Sequence, residues 1–146
     1  MFPVDATIMI VDDSSFARTV IKSGLKELNY WKILEADSAK QAKTLLQSEG
    51  QAKDPVHLLI ADIHMPDMNG LELLRWVRTQ SELVALPVIM LTALQEKSAI
   101  VEAAKLGVSH YMIKPFDVPT LKSRIQSTWE KCGQKYFEDR KRQAGA

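Results

Sequence analysis

Short apolar segments alternate with longer amphipathic segments along the 146 residues of the chain. Two of the apolar segments, "HLLIAD" (57–62) and "PVIMLT" (87–92), are almost continuous in apolar side chains, a pattern typical of strands that are covered by helices on both faces. The pattern as a whole predicts five strands. We expect them near Ile8–Val11, Lys32–Glu35, Leu58–Ala61, Val88–Leu91 and His110–Ile113.

Residues that favour helix ends frame the amphipathic segments between these strands. Ser14 is a candidate N-cap for the first helix, and Ser38 begins a Ser-x-x-Gln capping-box pattern for the second. Gly107 is suited to the end of a later helix. Asp117 is suited to the start of the last helix, which we expect to run past Trp129.

Five strand-then-helix units predict an α/β fold with a parallel sheet between two helix layers and right-handed crossovers. In such folds, functional side chains gather at the carboxyl ends of the strands. The residues that end each predicted strand are therefore the first candidates for a functional site.

Polar side chains stand at the ends of four of the five predicted strands. Asp12 and Asp13 end the first strand, Asp62 the third, Thr92 the fourth and Lys114 the fifth. Each alone has an ordinary structural explanation, since Asp and Thr often cap helices and a lone lysine is usually a solvated surface charge. Their convergence at one edge of the sheet favours a functional site.

Three clustered carboxylates need a counter-charge, because like charges raise one another's pKa. Hard oxygen ligands favour Mg²⁺, with Mn²⁺ as a substitute, and such a site suits phosphoryl transfer. Asp62 is then a candidate nucleophile that forms an aspartyl phosphate. Thr92 and Lys114 are candidates to donate hydrogen bonds to the phosphoryl oxygens.

The composition is that of an ordinary soluble domain, with 46% hydrophobic residues, 25% charged residues and a net charge of +1. This balance gives no electrostatic reason to expect nucleic acid or a membrane surface as a partner. No apolar run approaches the length of a membrane span, and the first residues do not resemble a signal peptide. The single cysteine, Cys132, suits a reducing compartment, so we expect a cytoplasmic protein.

Four segments together resemble the receiver domain of bacterial two-component response regulators, in particular the stand-alone chemotaxis type. They are "IVDDSSFAR" (10–18), "IADIHMPDMNGLELL" (60–74), "PVIMLTA" (87–93) and "GVSHYMIKPF" (107–116). The resemblance implies a flavodoxin-like fold with five helices and a five-stranded parallel sheet in the order 2-1-3-4-5. It also implies a receiver domain over residues 1–131 and a C-terminal helix extension or tail over residues 132–146.

The resemblance implies a metal and phosphoacceptor role for four residues. Asp12 and Asp13 match the acidic pair that holds Mg²⁺, and Asp62 matches the phosphoacceptor and third metal ligand. The backbone carbonyl of His64 completes the protein ligands. The side chains of His64 and Leu94 lie beside the acyl phosphate in this family, so we expect them to tune its hydrolysis. An apolar Leu94 favours slow self-dephosphorylation, whereas His64 either positions the attacking water or faces solvent.

The resemblance also implies how phosphorylation is read out. Thr92 matches the switch hydroxyl and Lys114 the ion-pairing lysine, with a cis peptide bond expected between Lys114 and Pro115. Tyr111 matches the switch aromatic. Tyr111 and Ile100 belong to the expected partner-binding face, which is formed by the fourth helix, the fifth strand and the fifth helix.

The partners that the resemblance implies are proteins. The phosphoryl donor is expected to be a sensor histidine kinase or a phosphotransfer protein, and the target a protein such as a flagellar motor component. With no effector domain expected, the chain signals by docking, as a monomer or weak dimer. It is expected to be a phosphoacceptor in chemotaxis with self-phosphorylation and self-dephosphorylation activity, not an enzyme in the ordinary sense.

Three other functions remain open at this point. A phosphatase or dehalogenase with an aspartyl nucleophile has a similar fold. Such enzymes, however, have an Asp-x-Asp motif near the start of the chain and usually carry a cap domain. A nucleotide-binding module is disfavoured because no Gly-rich phosphate loop follows any strand. A degenerate receiver that acts without phosphorylation is disfavoured because all five polar residues of the motif are present.

Overall fold

Five strands form one parallel sheet in the computed structural model, which describes residues 1–47, 54–93 and 96–145. The sheet order is β2-β1-β3-β4-β5, and every neighbouring pair is parallel. The predicted fold class and strand order are confirmed. The strands are β1 (Ile8–Val11), β2 (Ile33–Ala36), β3 (Leu58–Asp62), β4 (Val88–Ala93) and β5 (His110–Lys114).

Helices follow the strands as the pattern predicted. Ser14 and Asp117 are N-caps, and their side chains accept hydrogen bonds from the backbone N–H groups of Ala17 and Thr120. None of the described helices is long and apolar enough to cross a membrane. The helices are α1 (Ser15–Glu27), α2 (Ala39–Gln47), α3 (Gly70–Thr79), α4 (Lys97–Lys105), α5 (Val118–Thr128) and α6 (Gln134–Gly145), with a π-helical turn (Trp129–Gly133) between α5 and α6.

The capping box expected at the start of α2 is only half formed. Ser38 Oγ accepts a hydrogen bond from the Gln41 backbone N–H at 3.0 Å. The Gln41 side chain does not return to Ser38 but accepts from the Asp37 backbone N–H at 2.7 Å. Two backbone N–H groups at the start of the helix still have acceptors, because the Ser38 and Gln41 side chains each accept one hydrogen bond.

The sheet separates two hydrophobic clusters. Because neighbouring residues of a strand point to opposite faces, Ile8 and Ile10 of β1 enter one cluster and Met9 and Val11 the other. All four β1 side chains are fully buried. Helices α1 and α5 cover the first face, and α2, α3 and α4 cover the second. The central strands are therefore rigid supports for the residues at their carboxyl ends.

Helix α6 closes the opposite, amino-terminal end of the sheet. Tyr136 is only 3% exposed and its hydroxyl lies 3.5 Å from the Glu82 carbonyl oxygen. The Phe137 ring lies 4.6 Å from the ring of His57, which is just before β3. Residues 134–145 are thus a helix that packs on the sheet domain.

Candidate functional site

The five polar residues predicted at the strand ends meet at the carboxyl edge of the sheet. One carboxylate oxygen from each of Asp12, Asp13 and Asp62 lies within 4.8 Å of the others. Thr92 is on the strand next to Asp62, one residue beyond its register partner Leu91. This juxtaposition arises because β1, β3, β4 and β5 are parallel neighbours.

Asp12 is the most tightly held member of the cluster. It is 1% exposed, and its backbone N–H donates to the Ala36 carbonyl on β2 at 3.2 Å. Its Oδ1 accepts from the Ser14 backbone N–H at 2.9 Å, and its Oδ2 accepts from Lys114 Nζ at 3.1 Å. Asp13, the next residue, is exposed. The pair therefore combines one buried, fixed carboxylate with one accessible carboxylate.

Lys114 bridges the first and third strands of the chain. Its Nζ lies 3.1 Å from Asp12 Oδ2 and 3.2 Å from Asp62 Oδ1. Its aliphatic stem crosses the sheet edge from β5, which is the outer strand beyond β4. The ammonium thus offsets part of the repulsion between the carboxylates.

The electrostatics of the cluster follow from burial and mutual charge. Burial raises the pKa of Asp62, the charge of Asp12 raises it further, and the Lys114 ammonium opposes both. For Lys114, burial acts to lower the pKa, but the carboxylates of Asp62 and Asp12 outweigh it and the pKa is raised. Lys114 is therefore protonated, and it lies beside Asp62, a carboxyl group that burial makes harder to ionise.

Thr92 is buried at the edge of the site. It is 1% exposed, and its hydroxyl lies 3.3 Å from the Ala93 carbonyl oxygen. In this structure the hydroxyl faces its own strand end. A movement toward Asp62 would require this weak contact to break.

His64 lies in the loop after β3 and contacts the loop after β4. Its Nε2 lies 3.2 Å from Glu96 Oε1, and its side chain is 64% exposed. Glu96 occupies the N-cap position of α4 without capping it. The role expected for His64 in hydrolysis therefore stays a prediction. Leu94, the second residue expected to tune hydrolysis, lies outside the described residues.

Tyr111 and Ile100 lie where the partner face was expected. Tyr111 on β5 is partly buried, and its carbonyl accepts a hydrogen bond from Arg124 Nε of α5 at 3.1 Å. Ile100 is a partly buried residue of α4. The peptide bond between Lys114 and Pro115 is cis, as the resemblance implied.

Gly70 allows α3 to lie against the backbone of Asp62. Its N–H donates to the Ile63 carbonyl at 2.8 Å. A Cβ at this position would lie 2.3 Å from the Asp62 carbonyl oxygen and 2.6 Å from Met90 Cε. Any side chain here would push the helix away from Asp62, since real Cβ contacts are not that short.

The chemistry of the acidic cluster fits Mg²⁺. The three candidate ligands are all carboxylates, and hard oxygen donors without histidine or cysteine select Mg²⁺ over Zn²⁺. The cluster leaves open positions around an ion, because Mg²⁺ takes six ligands and usually keeps waters or phosphate oxygens.

Two polar residues beside the site were not predicted from the sequence. Arg18 on α1 donates to the Asp12 carbonyl, and Glu96 pairs with His64. Neither residue ends a strand, so the pattern of strand ends does not identify them. Arg18 lies within the segment "IVDDSSFAR", and its six-residue spacing from Asp12 is the one sequence signal that could have identified it.

The family model and similar known proteins agree on one protein family. Residues 8–126 match the model for the response regulator receiver domain. The chain is 40% identical over 124 residues to the chemotaxis protein CheY of Pseudomonas aeruginosa, covering 85% of this chain and 96% of that protein. It is 38% identical over 119 residues to CheY1 of Helicobacter pylori, covering 82% and 93%.

Solved structures agree with this comparison. The chemotaxis response regulator CheY4 of Vibrio cholerae superposes with a TM-score of 0.74 at 27% identity, covering 85% of this chain and 98% of that one. A response regulator receiver domain protein from Clostridium thermocellum gives a TM-score of 0.75 at 25% identity, covering 86% and 94%. The chain belongs to the response regulator receiver domain family and has chemotaxis proteins of the CheY type among its relatives.

Proposed function

We propose that this chain is a cytoplasmic phosphorylation switch in chemotaxis, in which Asp62 accepts a phosphoryl group in an Mg²⁺-dependent reaction. The single observation that carries the proposal is the position of Lys114 Nζ, within 3.2 Å of both Asp12 and Asp62. A lysine that bridges two of three clustered acids compensates only part of their charge. The remaining charge calls for a divalent cation.

The proposed ligands of the ion are the carboxylates of Asp12, Asp13 and Asp62 and the backbone carbonyl of His64. When bound, Mg²⁺ supplies positive charge to the phosphoryl oxygens as the group is transferred, and Mn²⁺ is an acceptable substitute. Asp13 is the accessible ligand of the set, whereas Asp12 is already held by Ser14 and Lys114.

Asp62 acts as the nucleophile. One of its carboxylate oxygens forms a bond to phosphorus while the bond between phosphorus and the donor's histidine nitrogen breaks, and that nitrogen keeps the electron pair. Burial raises the pKa of Asp62, and the Lys114 ammonium opposes this shift. Lys114 stabilises the charge on the phosphoryl oxygens from the side opposite the proposed Mg²⁺ site.

The switch follows from the new charge on Asp62. The Thr92 hydroxyl leaves its weak contact with Ala93 and donates to a phosphoryl oxygen. Its movement opens space for the Tyr111 ring, which shifts the surface formed by α4, β5 and α5, including Ile100, toward its target-binding form. The target is a protein, and a flagellar motor component fits the chemotaxis relatives.

The phosphoryl donor is a histidine kinase or phosphotransfer protein that covers an apolar groove beside the site. The groove has a volume of about 300 Å³ and includes Phe16, Val20, Lys114 and Phe116. Phe16 is 78% exposed, which is unusual for a phenylalanine. Because Lys114 lines the groove and its Nζ also contacts Asp62, we expect a protein that delivers a phosphoryl group to Asp62 to contact this groove.

Two residues are proposed to set the lifetime of the phosphorylated state. The apolar side chain of Leu94 is expected to disfavour the attacking water and slow self-dephosphorylation. A Leu94→Glu variant should then lose its phosphoryl group faster than the parent. His64 is the second tuning residue, and its contact with Glu96 gives it a defined position in the unphosphorylated form.

The test is phosphorylation with acetyl phosphate followed by intact-mass measurement. The parent should gain one phosphoryl group with Mg²⁺ and none after chelation, and Asp62→Asn should gain none. Phosphorylation of Asp62→Asn at the same site, or without a divalent ion, would refute the assignment. Continuous release of inorganic phosphate from many phosphate esters would instead favour a phosphatase-like hydrolase. Binding of the target by both parent and Asp62→Asn with equal affinity would favour a phosphorylation-independent interaction module.

A capture experiment with the beryllofluoride-bound form identifies the partner. Beryllofluoride stands in for the phosphoryl group, so a target of the switch should be retained by the parent with beryllofluoride and lost from it without. Ile100→Ala and Tyr111→Ala variants should retain less target, because both residues belong to the proposed face.

A further inference from the structure

Arg18 connects the acidic pair to the edge strand of the sheet. Its Nη1 donates to the main-chain carbonyl oxygen of Asp12 at 2.6 Å, and its Nε donates to Glu35 Oε1 at 3.2 Å. The Arg18 side chain is 16% exposed, whereas Glu35 is 36% exposed. Lys22 holds the other Glu35 oxygen at 3.0 Å.

The Asp12 carbonyl has a special position in the acidic pair, because it belongs to the peptide unit that joins Asp12 to Asp13. A peptide unit is planar, so a hydrogen bond that fixes its carbonyl also fixes the direction in which the next residue leaves. Asp12 is buried, and a buried carbonyl requires a donor. Arg18 supplies that donor and thereby orients the peptide unit from which Asp13 extends.

Glu35 holds the guanidinium in place. It lies on β2 and is the register partner of Ile10 on β1, two residues before Asp12. The hydrogen bonds from Lys22 and from Arg18 hold the pKa of Glu35 below its usual range, so the carboxylate stays ionised near neutral pH. An ionised glutamate and a planar guanidinium form a directional pair.

Only arginine can make both contacts in this geometry. Its Nε and Nη1 donors have a fixed angle between them, whereas a lysine ammonium is a single point on a flexible stem.

We propose that Arg18 is a positioning residue for the cation site, and that Glu35 acts on the site through Arg18. This inference rests on the proposed Mg²⁺-dependent function, since it concerns the affinity of Asp12, Asp13 and Asp62 for the ion. Arg18 itself is not a metal ligand and takes no part in phosphoryl transfer.

The primary test is an Arg18→Lys variant, whose Mg²⁺ affinity is measured by isothermal titration calorimetry. Arg18→Lys leaves the net charge of the protein unchanged. Any change in Mg²⁺ affinity therefore reports the loss of the guanidinium geometry and not a change in charge. We expect the affinity to fall about tenfold, the lower end of the range for residues that orient metal ligands. Lys22→Gln is the matched control, because it removes a charge from the same Glu35 without touching Asp12, and it should stay within about twofold of the parent.

A double-mutant cycle tests the path from Glu35. Glu35→Gln should weaken Mg²⁺ binding less than Arg18→Lys, and it should add no further loss in the Arg18→Lys background, since coupled residues are non-additive. Urea unfolding of each variant provides the folding control. If Arg18→Lys does not fold, the comparison of Glu35→Gln with Lys22→Gln decides the question.

The outcomes separate this inference from the function on which it rests. A parent that binds no Mg²⁺ would overturn the proposed function and the role of Arg18 together. A parent that binds Mg²⁺ with the same affinity as a folded Arg18→Lys variant would overturn the role of Arg18 alone. Additive losses for Arg18→Lys and Glu35→Gln would overturn the path through Glu35.

Discussion

His64 Nε2 lies 3.2 Å from Glu96 Oε1, so one side-chain contact joins the loop that follows Asp62 to the loop that follows Thr92. The two loops carry the proposed phosphoacceptor and the proposed switch hydroxyl. Breaking the pair by Glu96→Gln frees the imidazole to reach a water beside the acyl phosphate. We expect the phosphorylated form to decay roughly two- to fivefold faster, since an exposed side-chain pair of this kind contributes up to about 1 kcal/mol.

The decay is measured by following loss of the phosphoryl group from Asp62 by intact mass after removal of the donor. Glu102→Gln, another change on α4 that removes one negative charge, is the control and should leave the rate unchanged. In a His64→Ala background, Glu96→Gln should have no effect. An acceleration that persists without His64 would show that Glu96 acts by another route.

Gly70 provides a second prediction, because its missing side chain lets α3 approach Asp62. A Cβ there would lie 2.3 Å from the Asp62 carbonyl oxygen. Gly70→Ala should therefore lower the free energy of unfolding by about 1–3 kcal/mol through overpacking, and it should slow phosphorylation by displacing Asp62.

Gly24→Ala is the matched control for that change. A Cβ at Gly24 would meet the end of the Leu121 side chain at 2.9 Å, which can move aside. It should cost less stability in urea unfolding and leave the phosphorylation rate intact. A Gly70→Ala protein that phosphorylates as fast as Gly24→Ala would contradict the positional argument.

The groove beside Lys114 predicts a difference between two kinds of phosphoryl donor. Phe16 is 78% exposed and lines this groove. Phe16→Ala should slow transfer from a phosphorylated protein donor but not from acetyl phosphate, which is too small to contact the groove. Val84→Ala, which removes another exposed apolar side chain, should slow neither reaction. Equal slowing with both donors would mean that Phe16 affects the site itself.

Helix α6 predicts a stability effect remote from the site. Tyr136 is 3% exposed and belongs to one of the two hydrophobic clusters. Tyr136→Ala should lower the free energy of unfolding by about 3–5 kcal/mol, whereas Lys135→Ala, at an exposed position, should change it little. Mg²⁺ affinity should be unchanged in both, since α6 lies at the opposite end of the sheet. A folded protein with full stability after Tyr136→Ala would support the predicted domain end at residue 131.

Sequence reasoning located the acidic site because its residues are tied to the strands. The apolar runs before Asp12, Asp62 and Thr92 identify strands, and parallel strands place their carboxyl ends at one edge. No further tertiary information was needed for that step. The same reasoning places Lys114 beside the acids, although it does not give the bridging contacts at 3.1 and 3.2 Å.

Contacts between side chains from separate elements were not predictable in this way. Arg18 and Glu35 are 17 residues apart, and His64 meets Glu96 only because of the path of two loops. Neither pair leaves a periodic pattern in the sequence. The burial of Tyr136 was also missed, because two adjacent aromatic residues, Tyr136 and Phe137, in a charge-rich segment do not form a hydrophobic stripe at helical spacing.

A buried histidine predicts how stability depends on pH. His57 is 9% exposed, its Nδ1 accepts a hydrogen bond from the Thr7 backbone N–H at 3.0 Å, and its ring packs against Phe137. Burial lowers the pKa of His57 to about 4, so the folded state favours the neutral ring. Because the folded pKa lies below the unfolded value, this stability is fully present above about pH 6.5 and is lost as pH falls toward 4.

Urea unfolding between pH 7 and about pH 4.5 measures this loss. The neutral His57 ring should contribute up to about 3 kcal/mol, of which most disappears over that range. Burial also lowers the pKa of His110, so a His110→Asn variant serves as the comparison and should remove only its own smaller share. His57→Asn keeps an acceptor for Thr7 without a titrating ring and should flatten the pH dependence. An unchanged slope in His57→Asn would mean that other groups control the acid sensitivity of the fold.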